Sequence, residues 1–253
     1  MSLFQFNLLL GIMSAVGLVV FISLYFVKAG YGVFRTKNWG FAIPNKLGWV
    51  LMEVPVFLIM LILCLNSERR FDTVPFLFFL FFQIHYFNRS FIFPFLLKGK
   101  SKMPISVVFM GVFFNVFNGF IQGYWIFYLS SEKLYTNEWL TTPQFILGTL
   151  IFFLGMGINL HSDRIIRKLR KPGDTQHHFP KGGLYNRVTS ANYFGEIVEW
   201  GGFAILTWSL PGLVFFWWTC ANLVPRAHAI YNNYKLRFPE EIKGHKRIFP
   251  FIY

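Results

Sequence analysis

The sequence predicts an all-α membrane protein with seven transmembrane helices. Hydrophobic residues make up 55% of its 253 residues, charged residues make up only 14%, and long apolar runs recur along the chain. Soluble domains carry about 25% charged residues, and a helix needs roughly 20 apolar residues to cross a hydrocarbon core of about 30 Å. The mean hydropathy of the chain is +0.47. We therefore expect one seven-helix membrane domain over residues 1–253.

Seven apolar runs are long enough to span a membrane, and proline stands at several of the breaks between them. The predicted spans are Phe4–Val27, Lys46–Leu65, Pro75–Leu97, Ile105–Leu129, Pro143–His161, Asn192–Leu210 and Pro211–Tyr231.

Basic residues predict the orientation of these spans. Most of the 24 Lys and Arg residues fall in segments 28–46, 98–104 and 162–191 and in the C-terminal tail. The positive-inside bias then places the N-terminus outside and the C-terminus in the cytoplasm. An odd number of spans also requires the two termini to lie on opposite sides, so the two arguments agree. The net charge of +13 favours anionic lipid or a phosphorylated ligand over nucleic acid, because no basic stripe with interleaved aromatics lies outside the spans. Cys64 and Cys220 lie in apolar runs without zinc-site spacing, so we expect no metal.

Polar side chains inside the second, third and fourth predicted spans indicate a functional interior, because a charge at mid-bilayer costs at least about 2.5 kcal/mol. Interhelical hydrogen bonding is the simpler explanation for the amides of the fourth span, and a polar site is the alternative. The side chains are Glu53 in the second span, His85, Tyr86 and Arg89 in the third, and Asn115, Asn118 and Gln122 in the fourth.

A second polar group follows helical spacing near the predicted cytoplasmic ends of the last three spans. Carboxylates and amides can bind ribose hydroxyls and a carboxamide, and arginines can bind phosphates bidentately. The spacing therefore favours a phosphorylated cofactor over simple helix caps or ion pairs. The residues are Asn159, Asp163 and Arg170 on one stripe, Asn192, Glu196 and Glu199 on another, and Arg226 beyond them.

At these polar residues and the segments around them, the chain resembles the membrane-bound steroid 5α-reductases, the 3-oxo-5-alpha-steroid 4-dehydrogenases. The matching stretches keep the family's order along nearly the whole chain, and 155–173 and 191–200 are the most specific. They include Glu53-Val-Pro, His85-Tyr-Phe-Asn-Arg-Ser-Phe, Asn118-Gly-Phe-Ile-Gln-Gly-Tyr, Ala191-Asn-Tyr-Phe-Gly-Glu-Ile-Val-Glu-Trp and Ile248-Phe-Pro-Phe-Ile-Tyr. The sequence departs from the family pattern at Met52, where the family often has Gln, and at Ile230 and Tyr231, where it usually has His.

The resemblance implies an NADPH-dependent oxidoreductase that reduces the Δ4 double bond of 3-oxo-steroids to 5α products by hydride transfer to C5. It implies that Glu53 and Tyr86 polarise the 3-ketone. The protein is then expected to be a monomer in an endoplasmic reticulum-type membrane of a eukaryote or the inner membrane of a bacterium. The cofactor-binding residues implied by the family are Tyr31, Trp49, Arg89, Asn159, Asp163, Arg170, Asn192, Glu196, Arg226 and Tyr234.

Three alternatives remain open at this point. A related membrane reductase could act on a polyprenol-type lipid or an enoyl thioester. A membrane methyltransferase acting on prenylated cysteine would also have a polar C-terminal region. A seven-helix receptor or transporter is the non-enzyme alternative, although no inverted half-repeat is visible.

Overall fold

A computed structural model describes residues 1–169 and 178–253 and confirms the predicted all-α membrane class. These residues form two compact units. Unit 1 comprises Met1–Leu10 and Gly30–Ile146, and unit 2 comprises Gly11–Ala29 and Leu147–Tyr253. The α-helices of the described residues are α1 Leu3–Phe26, α2 Asn45–Leu65, α3 Thr73–Phe87, α4 Phe93–Leu96, α5 Ile105–Tyr124, α6 Pro143–Leu169, α7 Ala191–Thr207 and α8 Leu210–Arg237, and the strands are β1 Ala42–Pro44 and β2 Lys102–Pro104.

Five helical segments are long and apolar enough to cross a membrane, so the chain is an integral membrane protein. Two of them continue through a π-helical turn, Asn88–Ile92 after α3 and Trp125–Leu129 after α5. The other two predicted spans correspond to α7, which has 17 residues, and α8, which has 28 residues. The five segments are Leu3–Phe26, Asn45–Leu65, Thr73–Leu96, Ile105–Leu129 and Pro143–Leu169.

Helices α2 and α5 of unit 1 pack closely because α5 presents a face of small residues. Gly111, Asn115, Gly119 and Gly123 recur every four residues and so share that face. A Cβ added to Gly119 would lie 3.0 Å from the carbonyl oxygen of Val56, so a larger residue would require the α2 backbone to shift by a few tenths of an ångström. The interior beside this contact is filled by fully buried Val56, Met60, Phe78, Phe82 and Ile121.

A short antiparallel strand pair fixes where α2 and α5 begin, and the sequence did not predict it. Ala42 of β1 pairs with Pro104 of β2, and Pro44 pairs with Lys102. Each strand ends in a proline that directly precedes its helix, which agrees with proline's restriction to the ends and edges of strands. Pro44 and Pro104 therefore stand at two of the breaks between helices, and α2 and α5 start from a shared point.

In unit 2, glycines bring the backbones of α6 and α7 into direct contact. A Cβ on Gly155 of α6 would collide with the backbone of Glu199, and a Cβ on Gly195 of α7 would collide with the backbone of Asn159. Gly148 and Gly202 make equivalent contacts farther along the same pair of helices. This glycine seam leaves no room for side chains between the helices, as in other membrane helix pairs with small residues at the contact.

Two helices of unit 2 extend beyond the ends predicted for their spans. Helix α6 continues past His161 to Leu169, and α8 continues past Tyr231 to Arg237. Both extensions are polar, so hydropathy alone could not detect them. Because α6 stays helical, Asn159 and Asp163 lie one turn apart on one face, as the predicted stripe requires.

Candidate active site

Unit 1 contains a buried acid and a buried phenol, each bonded to an amide of α5. The side chain of Asn115 donates to Oε2 of Glu53 over 3.2 Å. The side chain of Asn118 donates to the hydroxyl of Tyr86 over 3.1 Å. Glu53 is 7% exposed and Tyr86 is 3% exposed. We call these four residues the acid–phenol cluster.

The fold explains why Glu53 and Asn115 meet. Counted from the helix starts beside the strand pair, Glu53 lies about 12 Å along α2 and Asn115 about 15 Å along α5. The close approach at Gly111 and Gly119 lets the short Asn115 side chain reach α2. There Asn115 also donates to the carbonyl oxygen of Met52 over 2.7 Å.

Proline also shapes the helix turn that carries Glu53. Pro55 lies inside α2 and has no backbone N–H, so this turn has one hydrogen bond fewer than a regular helix. In a membrane, a neighbouring helix commonly supplies hydrogen bonds to such a turn. The carbonyl that Pro55 leaves without its helical donor is that of Leu51, whereas the Asn115 amide donates to the next carbonyl, that of Met52, while it contacts the acid.

Residues next to Glu53 and Tyr86 in the sequence supply aromatic rings and one buried guanidinium. The Tyr86 ring contacts the rings of Phe82 and His85, with centroids 4.7 and 5.1 Å away. Arg89, in the π-helical turn after α3, stacks over the rings of Trp49 at 4.5 Å and Phe93 at 4.9 Å. The structure thus brings together two residues that the resemblance assigned to the cofactor, Trp49 and Arg89.

Unit 2 contains a second buried polar group, centred on Asn192 at the start of α7. Its backbone carbonyl accepts from the Asn159 amide over 2.9 Å, and its own amide donates to Oδ1 of Asp163 over 3.1 Å. The Tyr185 hydroxyl donates to Oδ1 of Asn192 over 3.1 Å. Asn159 and Asp163 are almost fully buried. We call these four residues the amide–carboxylate cluster.

Tyr185 lies in the loop before α7 and stays protonated in this setting. Burial raises the pKa of the Tyr185 phenol well above its usual 10, and the negative charge of Asp163 raises it further. The hydroxyl therefore remains a donor to Asn192 over the physiological pH range. This donor fixes the orientation of the Asn192 amide, whose N–H group then points to Asp163.

Further polar groups of unit 2 lie on α7 and α8. Nε of the buried Arg226 donates to the Tyr193 hydroxyl over 2.7 Å. The Ser190 hydroxyl, at the N-cap of α7, is 1% exposed and has no hydrogen-bond partner among the described residues. The half-buried Tyr234 ring contacts Phe179 at 5.3 Å. Together these groups offer a guanidinium, a hydroxyl and the N–H groups of a helix N-terminus, which suit an anionic ligand.

Comparison with known proteins decides the family. Residues 101–253 match the family described as 3-oxo-5-alpha-steroid 4-dehydrogenase. The steroid 5-alpha-reductase DET2 of Gossypium hirsutum is 39% identical over 243 residues, which are 94% of this chain and 93% of the relative. The chain belongs to the 3-oxo-5-alpha-steroid 4-dehydrogenase family. The human 3-oxo-5-alpha-steroid 4-dehydrogenase 1 is 38% identical over 94% of this chain and 92% of its own length, and the type 2 protein of Sus scrofa is 38% identical over 92% and 91%.

Membership of the 3-oxo-5-alpha-steroid 4-dehydrogenase family confirms the predicted resemblance and makes the chain an oxidoreductase acting on CH–CH groups. It argues against the methyltransferase and the receptor or transporter alternatives, because neither belongs to this family. The roles predicted for individual residues stay predictions.

The predicted site residues of this family member fall into two groups. Glu53, Tyr86, Tyr31, Trp49 and Arg89 lie in unit 1, where Tyr31 and Trp49 pack on the same apolar cluster around Met103. Asn159, Asp163, Asn192, Glu196, Arg226 and Tyr234 lie in unit 2, where the first three are in direct contact and Glu196 is half-buried one turn after Asn192. Arg170 lies outside the described residues.

Sequence reasoning missed two tyrosines that hold predicted site residues. Tyr185 lies in a loop with no periodic pattern, so nothing in the sequence connects it to Asn192. Tyr193 follows Asn192 directly and therefore lies about 100° around the helix from the stripe of Asn192, Glu196 and Glu199. It nevertheless bonds Arg226, which comes from a different helix.

Proposed function

We propose that this chain reduces the Δ4 double bond of 3-oxo-steroids, such as testosterone or progesterone, to 5α products with NADPH. The observation that carries the proposal is the acid–phenol cluster, in which a buried carboxyl and a buried phenol each accept an N–H bond from α5. The family membership supports it, because the named relatives are steroid 5-alpha-reductases.

The chemistry of an enone explains why an acid and a phenol are needed. As C5 gains a hydride, electrons of the double bond move toward the 3-ketone and negative charge builds on its oxygen. Tyr86 and a neutral Glu53 donate hydrogen bonds to that oxygen and stabilise the enolate. A carboxyl removed from water favours its neutral form, and ketosteroid isomerase polarises a steroid ketone with the same pair of groups. A proton added at C4 completes the reduction.

Unit 2 has groups that fit a dinucleotide, and this fit is supported by the Ser190 hydroxyl beside Asn192, which has no hydrogen-bond partner within residues 1–169 and 178–253. NADPH, when bound, supplies the hydride. Carboxylates and amides of Asn159, Asp163, Asn192 and Glu196 would hold ribose hydroxyls and the carboxamide, Arg226 and Arg170 would hold phosphates, and Tyr234 would pack on the cofactor. Tyr31, Trp49 and Arg89 are assigned to the cofactor because the family resemblance implies it.

The remaining parts of the proposal concern the membrane. We place seven spans in one reductase domain, with α7 and α8 as the sixth and seventh, the N-terminus outside and the C-terminus in the cytoplasm. The protein acts as a monomer on a small hydrophobic substrate drawn from membrane lipid. Its membrane is of the endoplasmic reticulum type in a eukaryote or the inner membrane in a bacterium.

The test is turnover by the purified chain in lipid nanodiscs. Testosterone and progesterone are incubated with NADPH, and the products are identified by mass spectrometry against 5α and 5β standards. Formation of the 5α product supports the proposal. Reduction of a polyprenol or an enoyl thioester in place of both steroids would refute it and support the related lipid reductase.

A further inference from the structure

We infer that α5 is a positioning helix, in which Asn115 and Asn118 direct the protons of Glu53 and Tyr86 toward the substrate ketone. The inference rests on the proposed function and gives both amides a role beyond interhelical hydrogen bonding. The two residues are three positions apart and so lie on neighbouring parts of one helix face. Each donates an N–H group to a different member of the acid–phenol cluster.

The hydrogen-bond capacity of a phenol determines what Asn118 does to Tyr86. A tyrosine hydroxyl has one O–H donor and lone pairs that accept. Asn118 Nδ2 lies 3.1 Å from this hydroxyl and occupies a lone pair, so the O–H group must point away from Asn118. A hydroxyl that accepts one hydrogen bond also becomes a better donor in a second. Asn118 thus selects the direction of the phenol proton and strengthens its hydrogen bond.

The same reasoning applies to Glu53. A neutral carboxyl carries its proton on one oxygen, and the other oxygen can only accept. The N–H group of Asn115 bonds Oε2, and because the carbonyl oxygen of a carboxylic acid is the stronger acceptor, this bond favours placing the proton on Oε1. The second N–H group of Asn115 bonds the Met52 carbonyl over 2.7 Å, so the amide itself is held in place. The acid then presents its O–H group in one direction.

A third buried amide of unit 1 provides a matched control. Gln83 is 7% exposed, and its side-chain N–H group donates to the carbonyl oxygen of Phe57 on α2 over 3.1 Å. It thus links two helices as Asn115 does, and it lies on the same helix as Tyr86. If Asn115 and Asn118 only hold helices together, loss of Gln83 should affect turnover as much as loss of either asparagine.

The experiment is a pair of double-mutant cycles on the full chain in nanodiscs, read as kcat with saturating NADPH and steroid enone. Asn118→Leu is combined with Tyr86→Phe, and Asn115→Leu with Glu53→Gln. We expect each asparagine substitution alone to lower kcat about tenfold, with KM changed less than about twofold. Within its own pair the second substitution should add nothing further, because the asparagine acts through its partner. Crossed pairs, such as Asn115→Leu with Tyr86→Phe, should be additive.

Each outcome separates positioning from other roles. Asn118→Leu lowering kcat equally with and without the Tyr86 hydroxyl would overturn the inference, as would a tenfold loss in Gln83→Leu at the same melting temperature. If Tyr86→Phe and Glu53→Gln retain wild-type kcat, the proposed roles of these two residues fail together with the inference, although the steroid reduction stands. If the wild type reduces no steroid enone, the proposed function itself fails. Asn118→Ala and Asn115→Ala replace any leucine variant that does not fold, with the same expected cycles.

Discussion

The two polar clusters use different chemistry although both are buried. In the acid–phenol cluster of unit 1, neutral amides donate to a carboxyl and a phenol. In unit 2, the amide–carboxylate cluster contains Asp163, and the guanidinium of Arg226 lies on α8 of the same unit. In the proposed reaction, unit 1 would orient donors toward developing charge, whereas unit 2 would present charged and amide groups to the cofactor.

Because their chemistry differs, the two clusters should control different kinetic parameters. Groups that stabilise charge only in the transition state change kcat, whereas groups that bind a ligand before and during the reaction change affinity. Substitutions in unit 1 should therefore lower turnover with little effect on NADPH affinity. Substitutions in unit 2 should weaken NADPH binding first.

The largest expected effect is that of Glu53→Gln. Glutamine keeps the shape and an oxygen that can accept from Asn115, but its N–H group is a weaker donor to an enolate than a carboxyl O–H. We expect kcat to fall about 10²–10³-fold, the loss typical for one donor to a developing oxyanion. NADPH affinity, measured by fluorescence titration, should stay within about twofold. The control is Glu68→Gln, which changes an exposed carboxylate of the same unit, and equal losses in both variants would contradict the role of Glu53.

Asp163→Ala tests whether the amide–carboxylate cluster of unit 2 controls NADPH affinity. It removes the carboxylate that accepts from Asn192 and leaves that amide without its partner. We expect NADPH to bind about 10- to 100-fold more weakly, since hydrogen bonds to charged groups contribute about 1.5–3 kcal/mol. Glu240→Ala is the control, because Glu240 is an exposed carboxylate of unit 2 that pairs with Lys243. Unchanged NADPH affinity in Asp163→Ala would remove unit 2 from the proposed cofactor site.

Gly155→Ala tests how much the close contact between α6 and α7 contributes to the stability of unit 2. The added Cβ would collide with the backbone of Glu199, so α6 and α7 must move apart beside Asn159. We expect a loss of about 1–3 kcal/mol in the free energy of unfolding, the usual cost of overpacking. Gly157→Ala, on the same helix, meets nothing within 4 Å and should leave stability unchanged or raise it by up to about 1 kcal/mol through helix propensity. Urea unfolding in micelles measures both, and equal stability of the two variants would show that the seam tolerates side chains.

The sequence predicted those features that depend on composition and on spacing within one helix. Apolar runs gave the membrane class, and helical spacing gave the stripes whose members Asn159, Asp163 and Asn192 are in contact. Contacts between helices were harder to predict. Glu53 and Asn115 are 62 residues apart, and their meeting depends on which faces of α2 and α5 pack together. The repeat of small residues every fourth position on α5 was the available signal.

Other features left no signal in the sequence. The strands β1 and β2 have three residues each and end in proline, so no alternating pattern marks them. Tyr185 reaches Asn192 from a loop, where periodicity does not apply. In each case tertiary contacts set the structure, and local propensity is too weak to reveal them.

The smallest expected effect concerns pH, and it uses a buried tyrosine of unit 1, Tyr135, as a counterpart to Tyr185. Burial raises the pKa of Tyr135 to about 12, which outweighs the lowering effects of the Trp125 indole N–H and the charge of Arg69. Because the folded pKa lies above the ordinary value of 10, Tyr135 contributes stability that is complete below pH 10 and is lost as pH rises toward about 12. The melting temperature in nanodiscs should therefore fall more steeply above pH 10 in the wild type than in Tyr135→Phe, which has no phenol to ionise. The two profiles should run parallel below about pH 9. If the two stability profiles also run parallel above pH 10, ionisation of Tyr135 does not destabilise the folded protein. The raised pKa of Tyr135 would then not contribute to the pH dependence of stability.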